Sequence, residues 1–237
     1  MIKALTLITL LIATPVFSSN SYDTFDKDVE VSISAEDALV QLVSTNPLNE
    51  LFVLPNDNLL EMAVNGYHKL LNNKQIEKGK TLTIVDFSLP STEKRMWIID
   101  VESGMILHNS VVSHGRNSGN LMAEKFSNVD SSYMSSLGFY VTGETYFGKH
   151  GYSLRLDGVE KGFNDKARDR AIVIHGAEYA NENFITSTGR LGRSLGCPAL
   201  PVDTSKEIID MIKDKTCLFI FGKDDDYISK SKLINRA

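Results

Sequence analysis

The chain has 237 residues, of which 42% are hydrophobic and 23% charged, with a formal net charge of −5. That apolar content is enough to bury a real core. The acidic balance excludes a broad nucleic-acid-binding face, which needs clustered Lys and Arg. The length suits one domain with an appended subdomain, or two small domains, and no internal repeat or low-complexity tract breaks the pattern.

The first residues, MIKALTLITLLIATPVFSSN, place Lys3 before an apolar run from Ala4 to Thr14 and small residues around Ser18. A charged start, an apolar stretch and small residues in that order are the pattern of a secretory signal peptide. The run falls short of the ~20 apolar residues that a spanning helix needs. Residues 1–18 are therefore predicted to be removed. The mature protein is expected to be exported, periplasmic or cell-envelope associated, with no transmembrane segment after cleavage.

Residues 19–74 read as helical. AEDALVQLV has acidic residues first and apolar ones at helix spacing. After Pro55, NDNLLEMAVNGYHKLLNN offers Asn and Asp caps, and then Leu59, Met62, Ala63, Tyr67, Leu70 and Leu71 on one helix face. Gly66 weakens that helix without forbidding it. From Thr81 the period changes to two. TLTIVDFSLP, RMWIIDV, a turn at Glu102-Ser103-Gly104 and MILHNSVVSHG read as strands and a hairpin, and LGFYVTGETYFG, YSLRL, RAIVIHGA and CLFIFG continue the series. VDTSKEIIDMIKDK is predicted as a helix capped by Asp203 or Thr204. The long segment HGRNSGNLMAEKFSNVDSSYMSSLG is the kind of loop that carries function. The expected architecture is mainly β: a body over 75–224, a small helical part over 19–74, and a C-terminal tail over 225–237.

Only two cysteines occur, Cys197 in GRLGRSLGCPALP and Cys217 in TCLFIFG. Cys217 lies in a buried-strand pattern and reads as core filling. An oxidising compartment permits a bridge between the two, but a chain of this size has no need of one staple. Cys197 can be half of a disulfide, a packed apolar group or a nucleophile. His175 ends an apolar strand and is followed by glycine, which sets an imidazole on a rigid rim. A histidine beside a thiol can take its proton and lower the thiol pKa. Gly196 allows close backbone approach, and the amides of Leu195-Gly196-Cys197 can cradle an oxyanion. A zinc hydrolase is the competing reading, because His114, His150 and His175 each precede glycine and imidazole binds zinc. No His-Glu-x-x-His spacing accompanies them, and His150 in GKHGYS reads as a turn or packing residue.

The segments VVSHGRNSG, FSN, SSLGFYVTGETYFGKHGYSLRLDG, RAIVIHGAEY and GRLGRSLGCPALP together resemble the murein L,D-transpeptidase catalytic domain, over roughly residues 80–222. The resemblance implies a mainly β exported enzyme acting on peptidoglycan stem peptides, with Cys197 as nucleophile, His175 as its base, and Ser194 and Gly196 in a Ser-x-Gly-Cys turn. It implies neither a metal nor a nucleotide cofactor. The sequence departs from the better-known pattern in two places. Leu195 stands where histidine precedes Gly-Cys, and Ala199 stands where arginine or asparagine is common, giving a Ser-Leu-Gly-Cys-Pro subgroup. His114 is a candidate for the missing imidazole. Arg193 and Arg116 are candidates for binding a stem carboxylate, and Asn128, Ser131 and Tyr133 for lining the cleft. The same Cys-His pair would serve an L,D-carboxypeptidase, and a non-catalytic wall-binding protein would share the fold.

Overall fold

Helix formation at the N-terminal end of the structure, a computed structural model describing residues 34–235, follows the capping residues. The expected signal segment 1–18 lies outside the described residues. The Ser34 side chain accepts from the Asp37 N–H and starts α1 (Ala35–Thr45), with Glu36 and Asp37 at the positive end of the helix dipole. A 3₁₀ turn over Pro47–Asn49 follows, and Asn56 caps α2 (Asp57–Asn72) by accepting from the Asn58 N–H. Leu59, Leu60, Ala63, Val64, Tyr67 and Leu70 are the buried apolar residues of α2. Gly66 has a packing reason: a Cβ there would lie 2.0 Å from Cζ of Phe139. Only glycine lets the α2 backbone come this close to the sheet.

Eight strands form one mixed sheet: β1 (Thr81–Asp86), β2 (Met96–Asp100), β3 (Ile106–Ser110), β4 (Gly138–Gly148), β5 (Gly151–Gly158), β6 (Val173–Gly176), β7 (Ala199–Leu200) and β8 (Cys217–Phe221). Their order across the sheet is β3-β2-β1-β8-β4-β5-β6-β7. Pairing is antiparallel except for β1–β8 and β6–β7. β1 is buried at every position, as expected of an inner strand covered on both faces. Phe139 of β4 stacks on Phe219 of β8 with ring centroids 4.2 Å apart, directly beneath Gly66. The expected sheet-based body with an N-terminal helical part is what the described residues form.

Three local readings change. α4 (Val202–Ile212) starts behind Pro201 with no side-chain cap, so neither Asp203 nor Thr204 caps it; Asp203 lies inside the first turn. A short helix unseen in the sequence, α3 (Glu182–Thr188), ends at Gly189 in the left-handed conformation, φ 78°. The expected C-terminal tail holds α5 (Asp225–Lys230), whose Tyr227 is fully buried. Tyr227 donates to Glu160 Oε2 at 2.9 Å, and Ser231 also donates to the Glu160 carboxylate. One apolar core runs from Leu39 of α1 through the sheet to Ile234, so neither residue 74 nor residue 224 is a packing boundary. No helix among the described residues is long and apolar enough to cross a membrane.

Candidate active site

The turn that carries Cys197 is held between two backbone segments. On one side, β7 pairs in parallel with β6, in a register that sets His175 opposite Ala199. On the other side, Ser113 bridges to Ala199 and Gly115 to Ser194. Ser194 N–H donates to the His114 carbonyl at 3.0 Å, and Arg116 N–H to the Ser194 carbonyl at 2.8 Å. Inside the turn, Ser194 Oγ accepts from the Gly196 N–H at 3.0 Å and donates to the Cys197 carbonyl at 2.6 Å. Gly196 sits at φ +126°, and a Cβ there would meet the Met134 carbonyl at 2.9 Å and Ile172 Cδ1 at 3.0 Å. Conformation and space both require glycine. Because its N–H is bound to Ser194, Gly196 contributes shape rather than an oxyanion donor.

Cys197 is a free, half-buried thiol, and Cys217 is a free, fully buried one. Strands β4, β5 and β6 separate β8, which bears Cys217, from β7 beside Cys197. The Cys197 Sγ lies 3.8 Å from the Ala171 carbonyl, at the entry to β6. Two residues past Val173 along that strand, His175 Nδ1 is 2.9 Å from the Gly176 carbonyl. A carbonyl only accepts, so Nδ1 carries the hydrogen and Nε2 keeps the lone pair. No hydrogen bond joins Cys197 and His175 at rest. Burial pushes the Cys197 thiol above its ordinary value, against the pull of the Val173 N–H and the Arg170 guanidinium. Burial also lowers the His175 pKa, with the Gly176 carbonyl opposing and His150 assisting. Both shifts favour a neutral thiol and a neutral imidazole, and not the resting ion pair that the sequence suggested.

The remaining candidates divide by side-chain environment. His114 is fully buried, with Nδ1 2.8 Å from Arg95 Nη2, and burial and then Arg95 lower its pKa to about 3. It braces the Cys197 turn through its backbone but offers no free imidazole, because its ring lone pair is already occupied. Arg193 Nη1 donates to the Gly119 carbonyl at 2.9 Å and the Arg116 carbonyl at 3.3 Å, stapling the 116–119 loop. Arg116 is exposed, its guanidinium 4.3 Å from the Tyr133 ring centroid. Ser131 and Tyr133 hold positive φ of 56° and 55° in the same loop. Asn128 ties that loop to Asp165, donating at 2.8 Å. Leu195 is 57% exposed and sets an apolar group at the surface one residue before Gly196.

Near the site, His150 is the turn and packing residue expected from the sequence, whereas Arg170 escaped the sequence reading. His150, at the β4–β5 hairpin tip, stacks on His175 with centroids 4.3 Å apart and planes at 22°. Its signal was the pairing of β5 with β6, which is not visible in either segment alone. Arg170 packs against Gly196, its Nη2 3.6 Å from where a Cβ would stand. No residue spacing announces that contact. Among the described residues no three His, Cys, Asp or Glu side chains converge to hold a metal. A groove of about 960 Å³, lined by Leu51, Val53, Trp97 and Ile185, lies away from Cys197. That groove brings no nucleophile and base together, whereas the Cys197 turn runs into β7 beside the strand that bears His175.

A family model described as the L,D-transpeptidase catalytic domain matches residues 55–221. No curated protein matches the chain. Among solved structures, the L,D-transpeptidase from Mycobacterium smegmatis is 14% identical over 60% of this chain and 58% of that one, with a TM-score of 0.37. The L,D-transpeptidase from Xylanimonas cellulosilytica is 12% identical over 78% and 91% of the two chains, with a TM-score of 0.35. L,D-transpeptidase 3 from Mycobacterium tuberculosis, solved with a faropenem-derived adduct, is 11% identical over 59% of each chain, with a TM-score of 0.37. The chain thus spans less than two thirds of the length of the first and last of these structures. The family match covers well over half of this sequence and includes both Cys197 and His175, and the chain belongs to the L,D-transpeptidase catalytic-domain family.

Proposed function

We propose that the protein is an exported cysteine acyltransferase of peptidoglycan, with Cys197 as nucleophile and His175 as base. The observation that carries this reading is the placement of an unbridged thiol beside β6, whose His175 holds its tautomer through Gly176 and leaves Nε2 free. Substrate binding brings the scissile carbonyl to the sulfur. Nε2 takes the thiol proton, and the thiolate forms an S–C bond at the L-centre carbonyl of diaminopimelate in a tetrapeptide stem. The tetrahedral intermediate then expels D-alanine as the imidazolium protonates its amine, leaving a thioester on Cys197. A side-chain amine of a neighbouring stem attacks the thioester, its proton passes through His175, and the thiol is restored with a cross-link between third residues. Water in place of the amine gives L,D-carboxypeptidase turnover from the same intermediate. Exposed Arg116, stacked on Tyr133, is the group in the loop suited to a stem carboxylate.

The test is incubation of the purified protein with disaccharide-tetrapeptide, following D-alanine release and a thioester mass on the intact chain. Cys197→Ala is expected to abolish both. Turnover that survives in this variant removes the nucleophile assignment, and activity lost in EDTA but indifferent to thiol alkylation would favour zinc instead. Faropenem is expected to acylate Cys197 and leave Cys217 untouched, since β8 buries the second thiol completely.

A further inference from the structure

Arg170 is a half-buried cation with no carboxylate partner. Its Nη1 donates to the Ser127 carbonyl and to Ser136 Oγ, both at 2.7 Å. Its Nη2 donates to the Met134 carbonyl at 2.8 Å and to Ser132 Oγ at 3.2 Å. Its Nε is buried and unpartnered. All four acceptors are neutral, and none of the ion pairs among the described residues includes Arg170. A half-buried charge whose hydrogen bonds all go to neutral groups is only partly compensated, so the site gains from an anion formed nearby. The guanidinium packs on Gly196, one residue before the nucleophile. Arg170 is the charged side chain whose field acts on the thiol. Its own field partners are Tyr140, Asp130 and Cys197, and Tyr140 is a phenol that burial keeps protonated.

We propose that Arg170 is the counter-charge to the Cys197 thiolate and, through the same fork, the positioning residue that clamps the 127–136 loop beside the nucleophile. The inference rests on Cys197 being the reacting thiol. When His175 Nε2 removes the proton, the charge left on sulfur forms inside the field of a cation that is already fixed and needs no reorganisation. Arg170 gives up no proton of its own. Arg190 and Arg193, the sequence neighbours of Cys197, do not fill this role. Arg193 is bound to loop carbonyls, and Arg190 Nη1 donates to the Leu191 carbonyl at 2.6 Å. The same fork holds the loop in which Ser131 and Tyr133 adopt left-handed backbone, a conformation that persists only where surroundings enforce it.

The experiment measures iodoacetamide alkylation of Cys197 against pH by intact-protein mass spectrometry. It compares the native chain, Arg170→Gln, Arg170→Lys, and the double variant Ser132→Ala/Ser136→Ala. Arg170→Gln is expected to raise the pH midpoint by about one unit, slowing alkylation about tenfold below it. Arg170→Lys keeps the charge and is expected to stay near the native midpoint. The serine double variant is expected to keep the midpoint while the loop becomes easier to proteolyse. An unmoved midpoint in folded Arg170→Gln, or an equal rise in the serine variant, overturns the proposal. If Arg170→Gln does not fold, Arg170→Lys decides, and a rise of a full unit there overturns it. A chain that shows the expected midpoint rise but releases no D-alanine keeps the counter-charge and loses the transpeptidase reading. An active chain whose midpoint does not move does the reverse.

Discussion

Ser194→Ala removes one hydroxyl that closes the nucleophile turn from both ends. Ser194 Oγ holds the Gly196 N–H at 3.0 Å and the Cys197 carbonyl at 2.6 Å, and the residue is buried. Two lost hydrogen bonds at about 1 kcal/mol each, and a buried N–H left without an acceptor at about 1 kcal/mol more, give a destabilisation of about 3 kcal/mol. In a chain of this size that lowers the melting temperature by about 9 °C. The effect on reactivity is expected to be larger than the effect on folding. Gly196 is fixed between Met134 and Ile172, so the turn relaxes at Cys197, and a displacement of about 1 Å at a reacting atom costs about a hundredfold in rate. A thermal melt and the rate of faropenem adduct formation by intact mass check both figures. A variant that melts with the native chain and acylates within twofold of its rate would refute the view that Ser194 builds the turn.

Gly66→Ala carries opposed terms: about 1 kcal/mol gained in helix propensity, and a new Cβ 2.0 Å from a Phe139 ring pinned by Phe219. Overpacking wins, and a net loss of about 2 kcal/mol is expected in urea unfolding. His114 is held neutral in the fold, its pKa lowered from 6.5 to about 3. The unfolded chain therefore binds the extra proton first as pH falls. Stability is complete above pH 6.5 and is lost toward pH 3, by at most about 5 kcal/mol. His114→Asn should flatten that part of the pH profile, measured as the urea midpoint at successive pH values. His150→Ala removes the ring stacked on His175 and is expected to slow D-alanine release by about two- to tenfold, with His150→Phe restoring most of it. Equal rates in the two variants would show that the stack does not position the base.

The sequence disclosed what depends on local periodicity. The two-residue alternation from Thr81 marked seven of the eight strands, and the Asn at 56 marked the start of α2. It did not disclose β7, because two residues carry no period, and it left α3 and α5 unseen for the same reason of length. At the site, motif spacing singled out Cys197 and His175 as candidates, and β6, which bears His175, pairs with β7, two residues past Cys197. His114 misled because a His-Gly pair reports nothing about which way a ring turns; buried Arg95 occupies it. Arg170 and His150 reach the site through loop packing and strand pairing across distant residues, which only the folded chain reveals.

Residues 217–234 tie together parts of the fold that lie far apart in sequence. β1 lies parallel to β8, more than 130 residues later in sequence, and Lys69 and Asn65 of α2 bind the carbonyls of Lys232 and Ile234. Until residues 217–234 are in place, β1 and α2 lack these partners, and uncovered apolar surface invites association. A product that stopped at Gly222 would keep the Glu160 carboxylate buried with the Phe139 N–H but without Tyr227 and Ser231. Residues 223–235 thus complete both the cover of α2 and the hydrogen bonding of Glu160.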